Sequence, residues 1–260
     1  MSSSPSPDFS TGTALVIGGS GGIGRVICRR LAEAGSDVVL TYRRNEATAE
    51  EVAAQIRSLK RRTAVEALNT EDEAETKKCV DQVANEFGGL HTLVYASGPD
   101  LPMMHISRTP PHQFRDYLLQ DAAGFFNLVH AAIPHLRASQ GSIVALHTAG
   151  LRRYPAKDIL SVAPKAAVEA IIRGVAREEG RYGVRANGVG IGGVEAGMHW
   201  RLRESGHYNA AALEILQRNR ALPYAGRAED VAEAVLYLAS GSAARYVTGQ
   251  TINTDGGYAL

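Results

Sequence analysis

Gly18-Gly19-Ser20-Gly21-Gly22-Ile23-Gly24 decides how this chain is read. Ahead of it runs the apolar stretch Ala14 to Ile17, and behind it the helix-like Arg25 to Ala34. A strand, a glycine turn and a helix start in that order make a cradle for phosphate, because the unpaired N–H groups at a helix N-terminus aim partial positive charge at an anion. Gly18 and Gly22 let the backbone turn sharply and approach a pyrophosphate, and Gly24 lets the helix pack closely on its strand. A single turn of this kind also fits an ordinary strand-to-helix connection, so the decision falls to the rest of the chain.

Outward from the turn, short β-rich runs alternate with longer helical patterns. The strand candidates are Ala14 to Ile17, Val38 to Thr41, Thr63 to Ala67, Thr92 to Ala96, Ser142 to Leu146 and Arg185 to Val189. Helices are predicted over Ile23 to Ala34, Ala47 to Leu59, Glu71 to Phe87, Pro111 to Leu136, Val162 to Tyr182 and Ala228 to Leu238. This alternation predicts an α/β fold, a single-domain Rossmann-type doubly wound parallel sheet over residues 11–260, with residues 1–10 as a disordered tail. Ligands of such sheets lie at the carboxyl ends of the strands.

With 260 residues and 45% hydrophobic content, the chain can bury one full core. Its 28 Lys and Arg against 27 Asp and Glu leave no basic excess, which argues against nucleic acid or membrane as partner and for small molecules or copies of itself. Two distant cysteines, Cys28 and Cys79, predict reduced thiols and no metal site. The start has no signal-peptide pattern and no apolar run reaches membrane-spanning length, so a cytoplasmic protein is expected.

The second strand ends in Thr41-Tyr42-Arg43-Arg44. A carboxylate here would bind the ribose 2′-hydroxyl of NAD, whereas an Arg bonded to a 2′-phosphate gains about 1.5–3 kcal/mol, which points to NADP(H). The competing reading is a pair of solvated charges on a turn. After the third strand, Thr70 and Glu73 have the spacing of a capping box, and Asn69 is placed to bond an adenine edge.

With these residues in view, the chain resembles the short-chain dehydrogenase/reductase superfamily from about Thr11 to Tyr258. The glycine turn is similar to the family's TGxxxGIG with Ile17 for Thr, Asn187 to Gly192 to its NxxxPG, and Tyr246 to Gly257 to its C-terminal strand. The resemblance implies cofactor contacts at Gly18, Ser20, Gly21, Gly22, Ile23, Gly24, Arg43, Arg44, Asn69, Thr70, Ala96, Ser97, Gly98, Lys165, Gly192 and Val194. It also implies a homotetramer built on the helices Pro111 to Leu136 and Val162 to Tyr182.

The family's catalytic tetrad resembles Asn, Ser, Tyr and Lys, the last two spaced YxxxK. Here those positions read Asp121, Thr148, Ser161 and Lys165, so only the Lys is kept. Tyr154 to Lys157 is one residue short of YxxxK. The loss matters because a Tyr beside a Lys ammonium delivers a proton to a developing alkoxide, and a serine hydroxyl cannot be brought so low. Ser161 is also suited to cap the following helix. The pattern is closer to enoyl and dienoyl thioester reductases of the superfamily, where the YxxxK tyrosine is often missing. In one enoyl branch the Tyr stands seven residues before the Lys, a slot that is Asp158 here, and in dienoyl reductases an Asp stands where Asp121 stands.

The candidate catalytic set is therefore Asp121, Thr148, Tyr154, Ser161 and Lys165, with His147 either an acid at neutral pH or a neutral wall of the pocket. Asp121 is either a buried acid or the partner of a cation. The stretch from Val194 to Arg220 reads as a substrate lid. The leading expectation is an NADP(H)-dependent reductase of a C=C conjugated to a carbonyl, the substrate small or an acyl thioester. The alternatives are a ketone or 3-oxoacyl reductase with a substitute acid, and a pseudoenzyme or inactive partner subunit that binds NADP(H).

Overall fold

The computed structural model describes Asp8, Phe9 and residues 11–260. In chain order the main elements are β1 (Thr13–Ile17), α1 (Gly24–Glu33), β2 (Asp37–Tyr42), α2 (Glu46–Ser58), β3 (Thr63–Ala67), α3 (Glu73–Phe87) and β4 (Leu90–Tyr95). There follow α4 (Pro111–Tyr117), α5 (Gly124–Ser139), β5 (Ser142–Thr148), α6 (Ile159–Glu179) and β6 (Arg185–Ile191). The chain closes with α7 (Met198–Glu204), α8 (Ala210–Arg218), α9 (Ala228–Ala239) and β7 (Thr251–Thr254).

All strands pair in parallel, in the order β3-β2-β1-β4-β5-β6-β7. The chain reverses direction across the sheet between β1 and β4, and at such a switch point the strand ends splay apart and leave a crevice. Strands covered on both faces need apolar side chains all along, and β1 is buried at every position. One face packs α3, α5 and α6 over Leu93, Phe125, Leu128 and Ile172, and the other packs α1, α2 and α9 over Val16, Ile27, Leu40 and Val235.

One polar residue is buried in this frame for a structural reason. Arg185, 9% exposed at the start of β6, donates to the carbonyls of Leu238 at 2.8 Å, Ala239 and Ser240 at 3.1 Å, and Ala244 at 3.2 Å. Leu238 and Ala239 end α9, and Ser240 and Ala244 lie in the turn after it. Among the described residues the Leu238 oxygen has no other donor, while Ala239 also accepts from Ser142 Oγ, Ser240 from Ala244 N and Ala244 from Val247 N, so a single planar guanidinium joins the helix end to the turn beyond it.

Several expectations are corrected. Asp8 and Phe9 are held: the Asp8 carboxylate accepts from Ser242 Oγ at 2.9 Å and from Ser240 Oγ, and Phe9 is buried against His91. The remainder of the expected tail, residues 1–7 and 10, lies outside the described residues. The helix predicted over Pro111 to Leu136 is interrupted by a π-helical turn, Leu118–Ala123. The wider turn turns Asp121 inward, and Gly124 follows it because a Cβ there would crowd the Thr70 side chain. Thr70 does not cap α3; Asp72 does, accepting from Glu75 N at 2.9 Å.

Ser161 does not cap α6 either. Asp158 flanks that helix, its carbonyl accepting from the N–H groups of Ser161 at 3.1 Å and Val162 at 2.9 Å, so the helix starts upstream and Pro164 lies inside it. Cys28 and Cys79 are buried and unbridged, and burial pushes both thiols up, Cys79 to about 12. Among the described residues no helix is long and apolar enough to cross a membrane.

Candidate active site

The glycine turn leaves β1 with Gly18 at φ +77°, a backbone conformation that only glycine adopts without a Cβ penalty. Gly18 N donates to the Thr41 hydroxyl at 3.1 Å, which ties the turn to β2. A Cβ on Gly24 would overlap the Gly18 carbonyl oxygen, so α1 starts against the turn itself. Among the described residues the N–H groups of Ser20, Gly22 and Ile23 have no acceptor, and all three residues face the crevice. Free donors at a helix start fit a pyrophosphate. Gly24→Ala is expected to destabilise the chain by about 1–3 kcal/mol by overpacking and to weaken dinucleotide binding, both readable by calorimetry.

Above the switch point the strand ends open into a cavity of about 990 Å³. Gly18, Ser20, Gly21, Gly22 and Ile23 form its floor, and Gly24 lies behind them, outside the lining. Arg43, Arg44, Asn69 and Thr70 line it beside β2 and β3. Ala96, Ser97, Gly98, Lys165, Gly192 and Val194 line it beside β4 to β6. Arg43 Nη2 is paired with Glu71 at 3.0 Å, whereas Arg44 makes no ion pair among the described residues. Arg25, just past the turn and not anticipated, adds a third guanidinium to the lining. The stretch expected to form a lid holds α7, α8 and the loop between them, and its leading edge touches the floor: a Cβ on Gly22 would lie 2.6 Å from Gly197 Cα.

Lys165 projects from α6 and is joined to Asp121 on the π-helical turn. Its Nζ donates to Asp121 Oδ1 at 2.8 Å and to the Ser97 carbonyl at 3.1 Å, and lies 4.8 Å from the centre of the Tyr95 ring. The Tyr95 hydroxyl donates to the same Asp121 oxygen at 2.8 Å. Asp121, 2% exposed, is thus the partner of a cation, the second of the two roles open to it from sequence. Burial, and then the Asp121 carboxylate beside it, hold the Tyr95 phenol far above its ordinary range.

Thr148 and Ser161 line the cavity with Lys165. Thr148 Oγ1 accepts from Gly150 N at 3.0 Å, which leaves its own proton free to donate. The structure does not bring Tyr154 to the cavity; it is 48% exposed on the loop before α6. His147 Nε2 lies 3.1 Å from Thr251 Oγ1, and burial pushes its pKa down to about 4, so it is a neutral wall at physiological pH. Two groups that sequence reasoning passed over as site residues also line the cavity, Asp158 at the start of α6 and Tyr208 of the lid. The seven-residue step from Asp158 to Lys165, two turns along one helix face, was the signal for the first. None marked the second.

A family profile described as enoyl-(acyl carrier protein) reductase matches residues 18–259. At 31% identity over 249 residues, the chain is similar to the 3-oxoacyl-[acyl-carrier-protein] reductase FabG of Staphylococcus aureus, covering 95% of this chain and 98% of that one. The chain belongs to the short-chain dehydrogenase/reductase superfamily. It is also 32% identical to the granaticin polyketide synthase putative ketoacyl reductase 2 of Streptomyces violaceoruber, over 94% of both chains. Among solved short-chain dehydrogenases, one from Burkholderia cenocepacia in complex with NADP superposes with a TM-score of 0.88 at 30% identity, covering 98% of this chain and 100% of that one. Carveol dehydrogenase from Mycobacterium avium, in complex with NAD, gives a TM-score of 0.88 at 25% identity over 97% and 99%. The superfamily is one of NAD(P)-dependent oxidoreductases, and the unpaired turn amides of this chain fit that dinucleotide.

Proposed function

We propose that the protein is an NADP(H)-dependent reductase of carbonyl groups, a ketone or 3-oxoacyl reductase that works without the family's phenol. The observation that carries this reading is the cavity, which joins the free amides of the glycine turn to a partly buried lysine at the position where the family holds the nicotinamide ribose. Similarity to 3-oxoacyl and ketoacyl reductases supports carbonyl reduction ahead of the conjugated C=C reduction that the missing tyrosine suggested. Arg25 and the unpaired Arg44 support a cofactor carrying a 2′-phosphate.

The bound nicotinamide supplies a hydride to the carbonyl carbon. Lys165, with two of its three donors committed to Asp121 and Ser97, has one left for a ribose hydroxyl. Thr148, its oxygen already accepting from Gly150, turns its proton toward the substrate oxygen and stabilises charge developing there. The lid excludes water when α7 and α8 close over the strand ends. Exposed Leu119 and Phe126 on the π-helical turn and α5 support self-association, as a tetramer.

The description of the matching profile keeps enoyl reduction as a second reading. NADPH oxidation with a matched pair of 3-oxoacyl and enoyl thioesters separates them. Faster turnover of the 3-oxoacyl substrate is expected; faster turnover of the enoyl substrate would reverse the order. NADPH binding without turnover of either would make the chain a pseudoenzyme.

A further inference from the structure

Resting on the carbonyl-reductase reading, we infer that Asp158 is the proton donor that takes the place of the absent phenol, delivering its carboxyl proton to the substrate oxygen directly or through one water. Ser161 and Lys165, four residues apart, share one face of α6, Asp158 stands at the start of that helix three residues before Ser161, and all three line the cavity. Although Asp158 flanks the start of α6, its side chain accepts no capping hydrogen bond, and it has no ion-pair partner among the described residues. The carboxyl is therefore not engaged in structural work.

Its surroundings favour the protonated form. Tyr154 on the preceding loop, Tyr208 of the lid and Tyr258 beyond β7 are its neighbours, each phenol raised first by burial and further by the Asp158 carboxylate. Met104, which bridges to Asp158 from the loop after β4, brings no charge. One layer further out, Arg153 stacks on Tyr258 and His199 packs edge-on against Tyr208. No cation touches the carboxyl, and burial pushes its pKa up to about 7.

The competitors are otherwise occupied or titrate elsewhere. Asp121 is committed to Lys165 and Tyr95, His147 carries no second proton at neutral pH, and burial holds Tyr208 up at about 12. In the step, NADPH is oxidised to NADP⁺ as its hydride reduces the carbonyl carbon. The oxygen takes the Asp158 proton, the product alcohol leaves, and the Asp158 carboxylate recovers a proton from water.

A donor that must be protonated makes kcat fall as pH rises through about 7, by about tenfold per unit. Asp158→Asn is expected to cut kcat on a 3-oxoacyl thioester at least about a hundredfold and to flatten the pH profile, with NADPH affinity unchanged. Asp158→Glu should recover part of the rate with the pH dependence. Carbon-13 NMR of the cofactor-free protein should show one aspartate carboxyl titrating near 7 that is missing from the Asn variant. A wild-type rate and pH profile in Asp158→Asn, or no carboxyl titrating above pH 6, would overturn the assignment and leave carbonyl reduction standing. Failure of the unaltered protein to reduce any ketone or oxoacyl thioester would instead remove the carbonyl reading and the donor with it.

Discussion

Lys165→Met is expected to lower the free energy of unfolding by about 3–5 kcal/mol and to abolish turnover. The Lys165 side chain is 12% exposed and that of Asp121 3%, so each charge depends on the other. Without the lysine, Asp121 keeps only the Tyr95 hydroxyl as a donor, inside a site from which water is largely excluded. A buried carboxylate without its cation is the costly half of a broken pair.

Urea unfolding measures this. Replacing both partners with apolar residues, Lys165→Met with Asp121→Leu, should recover most of the stability, because no buried charge is left unpaired, while turnover stays absent. A double variant as unstable as the sum of the singles would show that the two side chains do not act as a pair.

Arg185→Leu is expected to cost more than about 3 kcal/mol, since hydrogen bonds to a charged group are worth about 1.5–3 kcal/mol each and several are lost together. Four carbonyl oxygens at the end of α9 and in the turn after it lose the guanidinium, which is the only donor to Leu238 among the described residues, and leucine offers nothing in return. Lysine should restore less than half of the loss, because a compact ammonium cannot reach oxygens that a planar fork spans. Denaturant midpoints of the three proteins are the measurement. Equal stability of the Leu variant and the unaltered chain would mean that water satisfies those oxygens.

The fold was legible where local pattern and burial agree. Apolar runs such as Ala14 to Ile17 read as strands because the sheet is covered on both sides, and Gly18 read as a turn because its φ is positive. The site was legible at the level of which residues reach the crevice, and less so for what each does there. Asp121 and Lys165 lie 44 residues apart, so their pairing depends on the π-helical turn, which no spacing rule announces. The cap of α3 moved from Thr70 to Asp72 because both offer an oxygen near the same helix start, and only backbone geometry chooses between them. Asp158 stood out by its step from Lys165, but Tyr208 and Tyr258, which line the same cavity with it, come from far along the chain. The preference for an enoyl substrate followed from an absent tyrosine; the relatives favour a carbonyl substrate instead.

The cavity draws its walls from Ile17 through Tyr258, and its far side hangs on β6, which pairs with β7. During biosynthesis, then, the glycine turn leaves the ribosome long before the surfaces that close over it. A nascent chain can offer phosphate a cradle early, but it cannot enclose a nucleotide until its last strand has been translated and has joined the sheet.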